Sequence, residues 1–215
     1  MKRSHIGLAL GMFAVATFAA ALAYSQLPER IPTHWGLNGK PNGWGGRWTI
    51  FLMPGTMLLM LGLFVVLPKL SPTDFATERF ESTYSWIAVI VIAMFGYMHA
   101  VMLFNYLVHP VDIGRGFTGG IFLFFALMGN VMGRVRRNFW MGIRVPWTLA
   151  SERVWNDTHR VSGRLFVVSG ILGCLATTAG LPILTVLVPA IITCCFVPIV
   201  YSLIEYKQLQ ARGEA

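Results

Sequence analysis

The sequence predicts an all-α, polytopic integral membrane protein with six transmembrane helices and a short amphipathic cytoplasmic helix before the fifth. Of its 215 residues, 55% are hydrophobic and only 12% are charged, whereas soluble domains carry about 25% charged residues. Six separate apolar runs account for the difference, and crossing a bilayer takes about 20 residues. Little length remains for a soluble part, so we expect one membrane domain over residues 1–215.

The first apolar run must be distinguished from a cleaved signal peptide. It follows Lys2 and Arg3, and Ala21-Leu22-Ala23 resembles a signal-peptidase site. Because the run is longer than the core of a typical signal peptide, we expect it to remain as the first span. The six predicted spans are residues 6–24, 49–67, 83–107, 118–133, 165–180 and 183–206. We also expect Pro189 and Pro198 to kink the sixth span.

The distribution of Lys and Arg predicts the orientation of these spans. The chain has 17 Lys and Arg. When the connecting segments are assigned alternately to the two sides, thirteen of these cations fall with the two termini and four fall on the other side. Because basic loops stay in the cytoplasm, both termini are predicted to be cytoplasmic, in a bacterial cytoplasmic membrane.

The first outer segment, residues 27–48, is predicted to be a loop because it is rich in Pro, Gly and Asn. Pro41-Asn42-Gly43 favours a turn, since Pro presets φ and Gly permits positive φ. His34 and Trp35 are candidate binding residues, with His34 able to act as a proton-sensitive contact. No second His or Cys stands at ligand spacing, so we expect no metal site.

A second candidate site is the basic cytoplasmic stretch, residues 134–164, which holds seven Arg and three Trp. Pro146-Trp147-Thr148 looks like a helix entry, with Thr148 or Ser151 as N-cap and Glu152 near the positive helix end. Residues 149–162 then have the spacing of an amphipathic helix. Guanidinium groups suit bidentate contacts with carboxylate or phosphate, so an acidic protein partner and lipid phosphates both remain open.

Several functional classes have little support in the sequence. It contains no HExxH, GxSxG, P-loop or CxxC motif, so we expect neither an enzyme nor a cofactor. The positive charge is explained by membrane topology rather than by direct nucleic-acid binding. The three cysteines all lie in apolar runs and predict packing residues rather than disulfides.

Two segments together resemble a known family. LPERIPTHWGLNGKPNGWGGRW resembles the outer loop of the DUF1648-type membrane module, and RNFWMGIRVPWTLASERVWNDTHRVSG resembles the second signature of the SdpI family, the sporulation-delaying-protein immunity family. The chain departs from the first pattern at Asn42, where the family has Asp, and at Arg47 or Trp48, where it has Lys. The resemblance implies a DUF1648-like helix-loop-helix hairpin over residues 1–67 and an SdpI-like four-helix part over residues 83–215, with the cytoplasmic motif loop at 134–164.

The resemblance also implies a function. The founding member of the family is an immunity protein against a secreted, membrane-active toxin, and it signals by drawing a cytoplasmic repressor to the membrane. The expected partners are therefore the lipid bilayer, a secreted peptide toxin outside and a cytoplasmic regulator inside. The alternative is a lipid- or small-molecule-handling membrane protein, either transporter or enzyme, whose Arg-rich loop holds an anionic group. The candidate binding residues are His34, Trp35, Asn138, Arg144, Pro146, Trp147, Thr148, Glu152, Trp155, His159 and Arg160.

Overall fold

The computed structural model describes residues 1–36 and 39–214, and this part of the chain is mainly helical. Its helices are α1 (Arg3–Tyr24), α2 (Leu52–Val66), α3 (Glu81–Leu107), α4 (Ile113–Met132), α5 (Pro146–Ala150), α6 (Glu152–Thr178) and α7 (Ile183–Ala211). Its strands are β1 (Arg30–Trp35) and β2 (Pro41–Gly46). Short 3-10 turns cover Arg47–Phe51, Leu67–Leu70, Thr73–Phe75 and Thr77–Phe80.

Six of the helical segments in the described residues are long and apolar enough to cross a membrane. They begin and end close to the six predicted spans, which confirms the predicted fold class. Two helices begin well before the spans predicted for them, α4 at Ile113 and α6 at Glu152. α4 begins at Ile113 because the Asp112 side chain accepts the Arg115 backbone N–H and caps the helix. Pro189 and Pro198 lie inside α7, where the kinks expected from them remain a prediction.

The predicted helix entry at Pro146-Trp147-Thr148 is a short helix of its own, α5, with Pro146 in its first turn. The amphipathic segment predicted over residues 149–162 is not a separate helix, because α6 runs without a break from Glu152 into the membrane. The break between α5 and α6 is Ser151, whose backbone is extended and whose side chain makes no cap hydrogen bond. Arginines interrupt the hydropathy of this segment, but they are good helix formers and do not interrupt the helix.

Residues 27–48, which the sequence predicts to be a loop, contain a β-hairpin. β1 and β2 pair antiparallel, with irregular register around His34. The turn predicted at Pro41-Asn42-Gly43 is wrong, because these residues begin β2. The chain reverses earlier, where Gly36 N–H donates to the Lys40 carbonyl at 2.9 Å and Gly39 adopts a φ of +73°. The loop prediction for residues 37 and 38 lies outside the described residues.

Among the described residues, the most extensive contact between two helices is that of α4 with α6. A Cβ added to Gly129 would lie 2.6 Å from the Gly163 carbonyl oxygen, and one added to Gly170 would lie 2.5 Å from the Ala126 backbone nitrogen. The two backbones are therefore in direct contact, which is how helices associate in lipid without a hydrophobic driving force. This crossing fixes the position of α6, to which the segment between α4 and α6 is hydrogen-bonded.

The loops gather at two ends of the bundle, which we call the outer and the inner end. At the outer end, Tyr106 of α3 donates to the Pro32 carbonyl at 2.8 Å, and Arg115 donates to the Gly180 carbonyl at 2.9 Å. At the inner end, Arg153 pairs with Glu214 at 2.6 Å. The hairpin thus lies at the end opposite to both described chain ends and to the segment between α4 and α6.

Candidate functional site

The segment between α4 and α6, residues 133–151, forms a compact structure that we call the inner loop. Its organising residue is Asn138, which is fully buried. Asn138 Nδ2 donates to the carbonyls of Arg136 and Met141, and its Oδ1 accepts the backbone N–H groups of Trp140 and Met141, all at 2.8–3.1 Å. One side chain therefore satisfies four backbone groups that an irregular segment would otherwise leave unpaired.

The inner loop is joined to α6 through His159, which is also fully buried. Ile143 N–H donates to His159 Nε2 at 3.0 Å, and His159 Nδ1 lies 2.7 Å from the Trp155 carbonyl oxygen. A backbone N–H can only donate and a carbonyl can only accept, so the ring is neutral with its proton on Nδ1. Gly142, at a φ of +103°, allows this approach because a Cβ there would lie 2.2 Å from Nε2.

Trp155 and Thr148 complete this buried network. The Trp155 ring stacks on His159 with centroids 4.1 Å apart, and its Nε1 donates to the Val135 carbonyl at 2.8 Å. Thr148 Oγ1 accepts the Val145 N–H at 3.0 Å and lies 2.8 Å from the Ile143 carbonyl, to which it donates. Both residues are fully buried, so they hold the loop in shape and do not present side chains to a partner.

Two tryptophans tie the inner loop to distant parts of the chain. Trp147 Nε1 donates to Ser202 Oγ of α7 at 2.6 Å, and Trp140 Nε1 donates to Ser71 Oγ, between α2 and α3, also at 2.6 Å. Arg137 adds a third tie, since it donates to the Leu149 carbonyl at 2.9 Å and lies over the Phe75 ring. The loop is therefore held from several sides.

The outward-facing side chains of the inner loop form a surface that is both aromatic and cationic. Phe139 is 46% exposed, and the guanidinium of the exposed Arg144 donates to its carbonyl. Pro146 is exposed and Trp147 is half-buried beside it. We call these four residues the inner surface. An exposed aromatic ring next to a cation with unused N–H donors suits a partner that offers both a carboxylate and an apolar group.

At the outer end, the two strands bring His34 and Asn42 together. His34 Nδ1 lies 2.5 Å from Asn42 Oδ1, and both residues are exposed. Asn42 is the position where the DUF1648 pattern has Asp, so here His34 faces an uncharged amide. Trp35 packs edge-on against Phe117 of α4 with ring centroids 5.8 Å apart. His34, Trp35, Met53 and Phe117 are among the residues that line a cavity of about 310 Å³.

The structure therefore separates the predicted site residues into four groups. Asn138, Thr148, Trp155 and His159 meet in the buried network, while Arg144, Pro146 and Trp147 face outward. Glu152 and Arg160 are exposed on α6, and Arg160 lies near Asp157 at 3.7 Å. His34 and Trp35 lie at the other end. The binding assignment of these residues remains a prediction.

Sequence reasoning missed Phe139, although it stands inside the recognised motif next to Trp140. The aromatic signal considered there was tryptophan alone, and exposure cannot be read from an irregular segment. It also missed Ser71 and Ser202, whose partners are far away in the chain. Within the described residues, no group of three or more His, Cys, Asp or Glu could hold a metal ion.

Comparison with known proteins shows that two family models match parts of the chain. The SdpI/YfhL protein family matches residues 134–202, which include the inner loop, and the domain of unknown function DUF1648 matches residues 11–58, which include the hairpin. This confirms the resemblance identified from the two motifs, in the same order along the chain.

Full-length similarity extends beyond these regions. The immunity protein SdpI of Bacillus subtilis (strain 168) is 27% identical over 210 residues, which cover 97% of this chain and 98% of the relative. An uncharacterized protein of Archaeoglobus fulgidus is 37% identical over 49 residues, covering 23% of this chain and 27% of that protein. No solved structure matches the chain. The chain is thus a multi-pass membrane protein similar throughout to a membrane immunity protein.

Proposed function

We propose that this protein gives its cell resistance to a secreted, membrane-active peptide toxin and reports the toxin to a cytoplasmic regulator, with no chemical step. The observation that carries the proposal is the similarity to the immunity protein SdpI, which covers 97% of this chain. Because the similarity includes the hairpin and the inner loop, both proposed contact regions have counterparts in that relative. Detection and signalling then need only binding at two ends of one molecule.

In this proposal the inner end faces the cytoplasm and the hairpin faces outside. The support is the distribution of charge, since thirteen of the 17 Lys and Arg belong to the inner side. The hairpin is then accessible to a secreted peptide. Its His34 and Trp35 are among the residues that line an aromatic cavity, and Asn42 and Trp44 are exposed on the strand paired with theirs. This combination suits an amphipathic peptide, which presents apolar and polar groups together.

Protection can be measured directly. A toxin-sensitive bacterial host is challenged with a panel of secreted membrane-active peptides, with and without this protein, while survival and membrane potential are recorded. We expect wild type to preserve both, and His34→Ala to lose protection because the exposed ring and its contact with Asn42 are gone. The matched control is His109→Ala, which removes an exposed histidine from another predicted outer segment, where its ring hydrogen-bonds to the neighbouring Pro110 carbonyl.

Protection by the two variants is compared at equal abundance in the membrane. Loss with His34→Ala but not with His109→Ala supports toxin contact at the hairpin. Equal protection by both variants contradicts the hairpin assignment. If wild type itself protects against no peptide in the panel and instead turns over a labelled lipid, the lipid- or small-molecule-handling alternative replaces the immunity proposal.

For the cytoplasmic regulator, the proposed contact is the inner surface. Arg144 uses one N–H donor on the Phe139 carbonyl, and a guanidinium has five, so donors remain for a carboxylate. Arg144→Ala should deplete a cytoplasmic partner from the isolated membrane complex by about tenfold, the effect of losing one charge-assisted contact. Quantitative mass spectrometry of cross-linked complexes measures it, with Arg212→Ala as the control. Identical partner sets in all three proteins would refute the docking assignment.

A further inference from the structure

A second cationic region lies apart from the inner surface, in an open pocket between α4 and α6. The pocket has a volume of about 430 Å³, within the range of about 300–1,000 Å³ found for small-molecule sites. Three arginines contribute to its wall, Arg134 after α4 and Arg160 and Arg164 on α6. Arg160 and Arg164 are four residues apart in one helix and therefore share a face.

These cations have little internal compensation. Within residues 1–36 and 39–214, neither Arg134 nor Arg164 makes an ion pair or a side-chain hydrogen bond. Arg160 has one acidic neighbour, Asp157, at 3.7 Å. All three arginines are exposed, as is Asn130, a polar side chain on the same pocket wall. The pocket thus offers guanidinium donors and one amide, which together suit a phosphate.

The pocket is formed by the close helix crossing. Gly129 and Gly163 bring the two backbones into contact, and these glycines with Gly133 also line the pocket. With no side chains at these positions, a concave space remains between the arginines. The pocket is therefore a product of the packing of α4 on α6 and not simply a row of charges on one helix.

One end of the pocket is apolar, which distinguishes a lipid from a free anion. Val167 and Val168 follow Arg164 on α6 and also line the pocket, and Val168 is 55% exposed. Leu172, one turn further into the span, is 59% exposed. Along α6 the surface changes from cationic to apolar, which matches a molecule with an anionic head and a hydrocarbon chain.

We propose that the α4–α6 pocket binds one anionic phospholipid of the adjacent leaflet, with its phosphate at Arg134, Arg160 and Arg164 and an acyl chain along Val168 and Leu172. The lipid lies beside the inner loop, because Arg134 belongs to that loop. The site is separate from the hairpin and the inner surface, so it stands whether or not the proposed immunity function is correct.

The test is native mass spectrometry of the detergent-solubilised protein, titrated separately with phosphatidylglycerol, phosphatidylcholine and inorganic phosphate. We expect wild type to bind one phosphatidylglycerol with about tenfold preference over phosphatidylcholine. Arg134→Ala combined with Arg164→Ala should weaken phosphatidylglycerol binding by about tenfold or more, since two charge-assisted contacts are lost. Arg136→Ala is the matched control, because it removes the same charge from an exposed residue two positions from Arg134, outside the pocket.

A second pair of variants changes shape and leaves the charge intact. A Cβ at Gly133 would make only ordinary contacts with Arg160 at 3.7 Å, so Gly133→Ala should bind as wild type does. Gly133→Leu should extend into the pocket and weaken phosphatidylglycerol binding. Equal binding of the two lipids by wild type, or an equal loss with Arg136→Ala, would overturn the site. Displacement of the lipid by inorganic phosphate at similar concentrations would overturn its assignment to a lipid.

Discussion

His159 is the residue through which the inner loop and α6 become one structure. Its two ring nitrogens meet a backbone donor from Ile143 and a backbone acceptor from Trp155, so only one neutral tautomer satisfies both. Neither glutamine nor asparagine has a flat ring that could also stack on Trp155. The residue thus combines two hydrogen bonds with an aromatic contact, and Gly142 is the position that permits it.

The first prediction follows from Gly142. Gly142→Ala should lower the stability of the folded protein by roughly 1–3 kcal/mol, because alanine is strained at positive φ and its Cβ would collide with His159 Nε2. The thermal unfolding midpoint of the purified protein measures the effect. Gly55→Ala is the control, since a Cβ there meets nothing within 4 Å and α2 should gain helix propensity. Unchanged midpoints in both variants would show that the His159 contact is not formed.

At this scale the sequence could identify the important residues but not their roles. Asn138, Thr148, Trp155 and His159 were selected as binding candidates from the family motif. Polar and aromatic residues in a basic loop are typical of a contact surface, and the same types also build a buried hydrogen-bonded network. The difference depends on bonds such as that from Ile143 N–H to His159, which no residue pattern in this irregular loop predicts.

At the scale of elements, α4 and α6 cross so closely that their backbones are in contact at Gly129 and Gly163. Gly129→Ala should destabilise the fold by about 1–3 kcal/mol through overpacking, because its Cβ would lie 2.6 Å from the Gly163 carbonyl, which is backbone and cannot move aside. Gly119→Ala, in the same helix, is the matched control, with its nearest neighbour at 4.0 Å. Thermal unfolding should lower the midpoint for Gly129→Ala alone, and equal midpoints would contradict the close crossing.

The same elements show why hydropathy predicts spans well and their connections poorly. Runs of apolar residues give the six helices because lipid leaves the backbone few alternatives. The fifth span is predicted from residue 165, but the helix that contains it already begins at Glu152, since Arg and Asp lower hydropathy without breaking a helix. The hairpin was missed because Pro and Gly within Pro41–Gly46 remove the alternation that marks a strand.

For the whole molecule, the predicted orientation in the membrane can be measured by labelling. Glu29→Cys lies beside the hairpin and Arg212→Cys follows α7, and both positions are exposed. In a background with the three native cysteines replaced by alanine, a membrane-impermeant maleimide applied to intact cells should label Glu29→Cys and should label Arg212→Cys only after permeabilisation. The positive-inside distribution is the reason for this expectation. The reverse pattern would invert the topology and with it both proposed contact faces.

The complete hydrogen bonding of the Asn138 side chain has a consequence for how the inner loop can vary. Because this side chain completes four backbone hydrogen bonds of the inner loop from within, these bonds do not depend on the side chains of Phe139 and Pro146. Phe139 and Pro146 can therefore be exchanged at small cost to folding. The outward side chains of the loop can therefore change to suit a different partner while the buried interior stays the same.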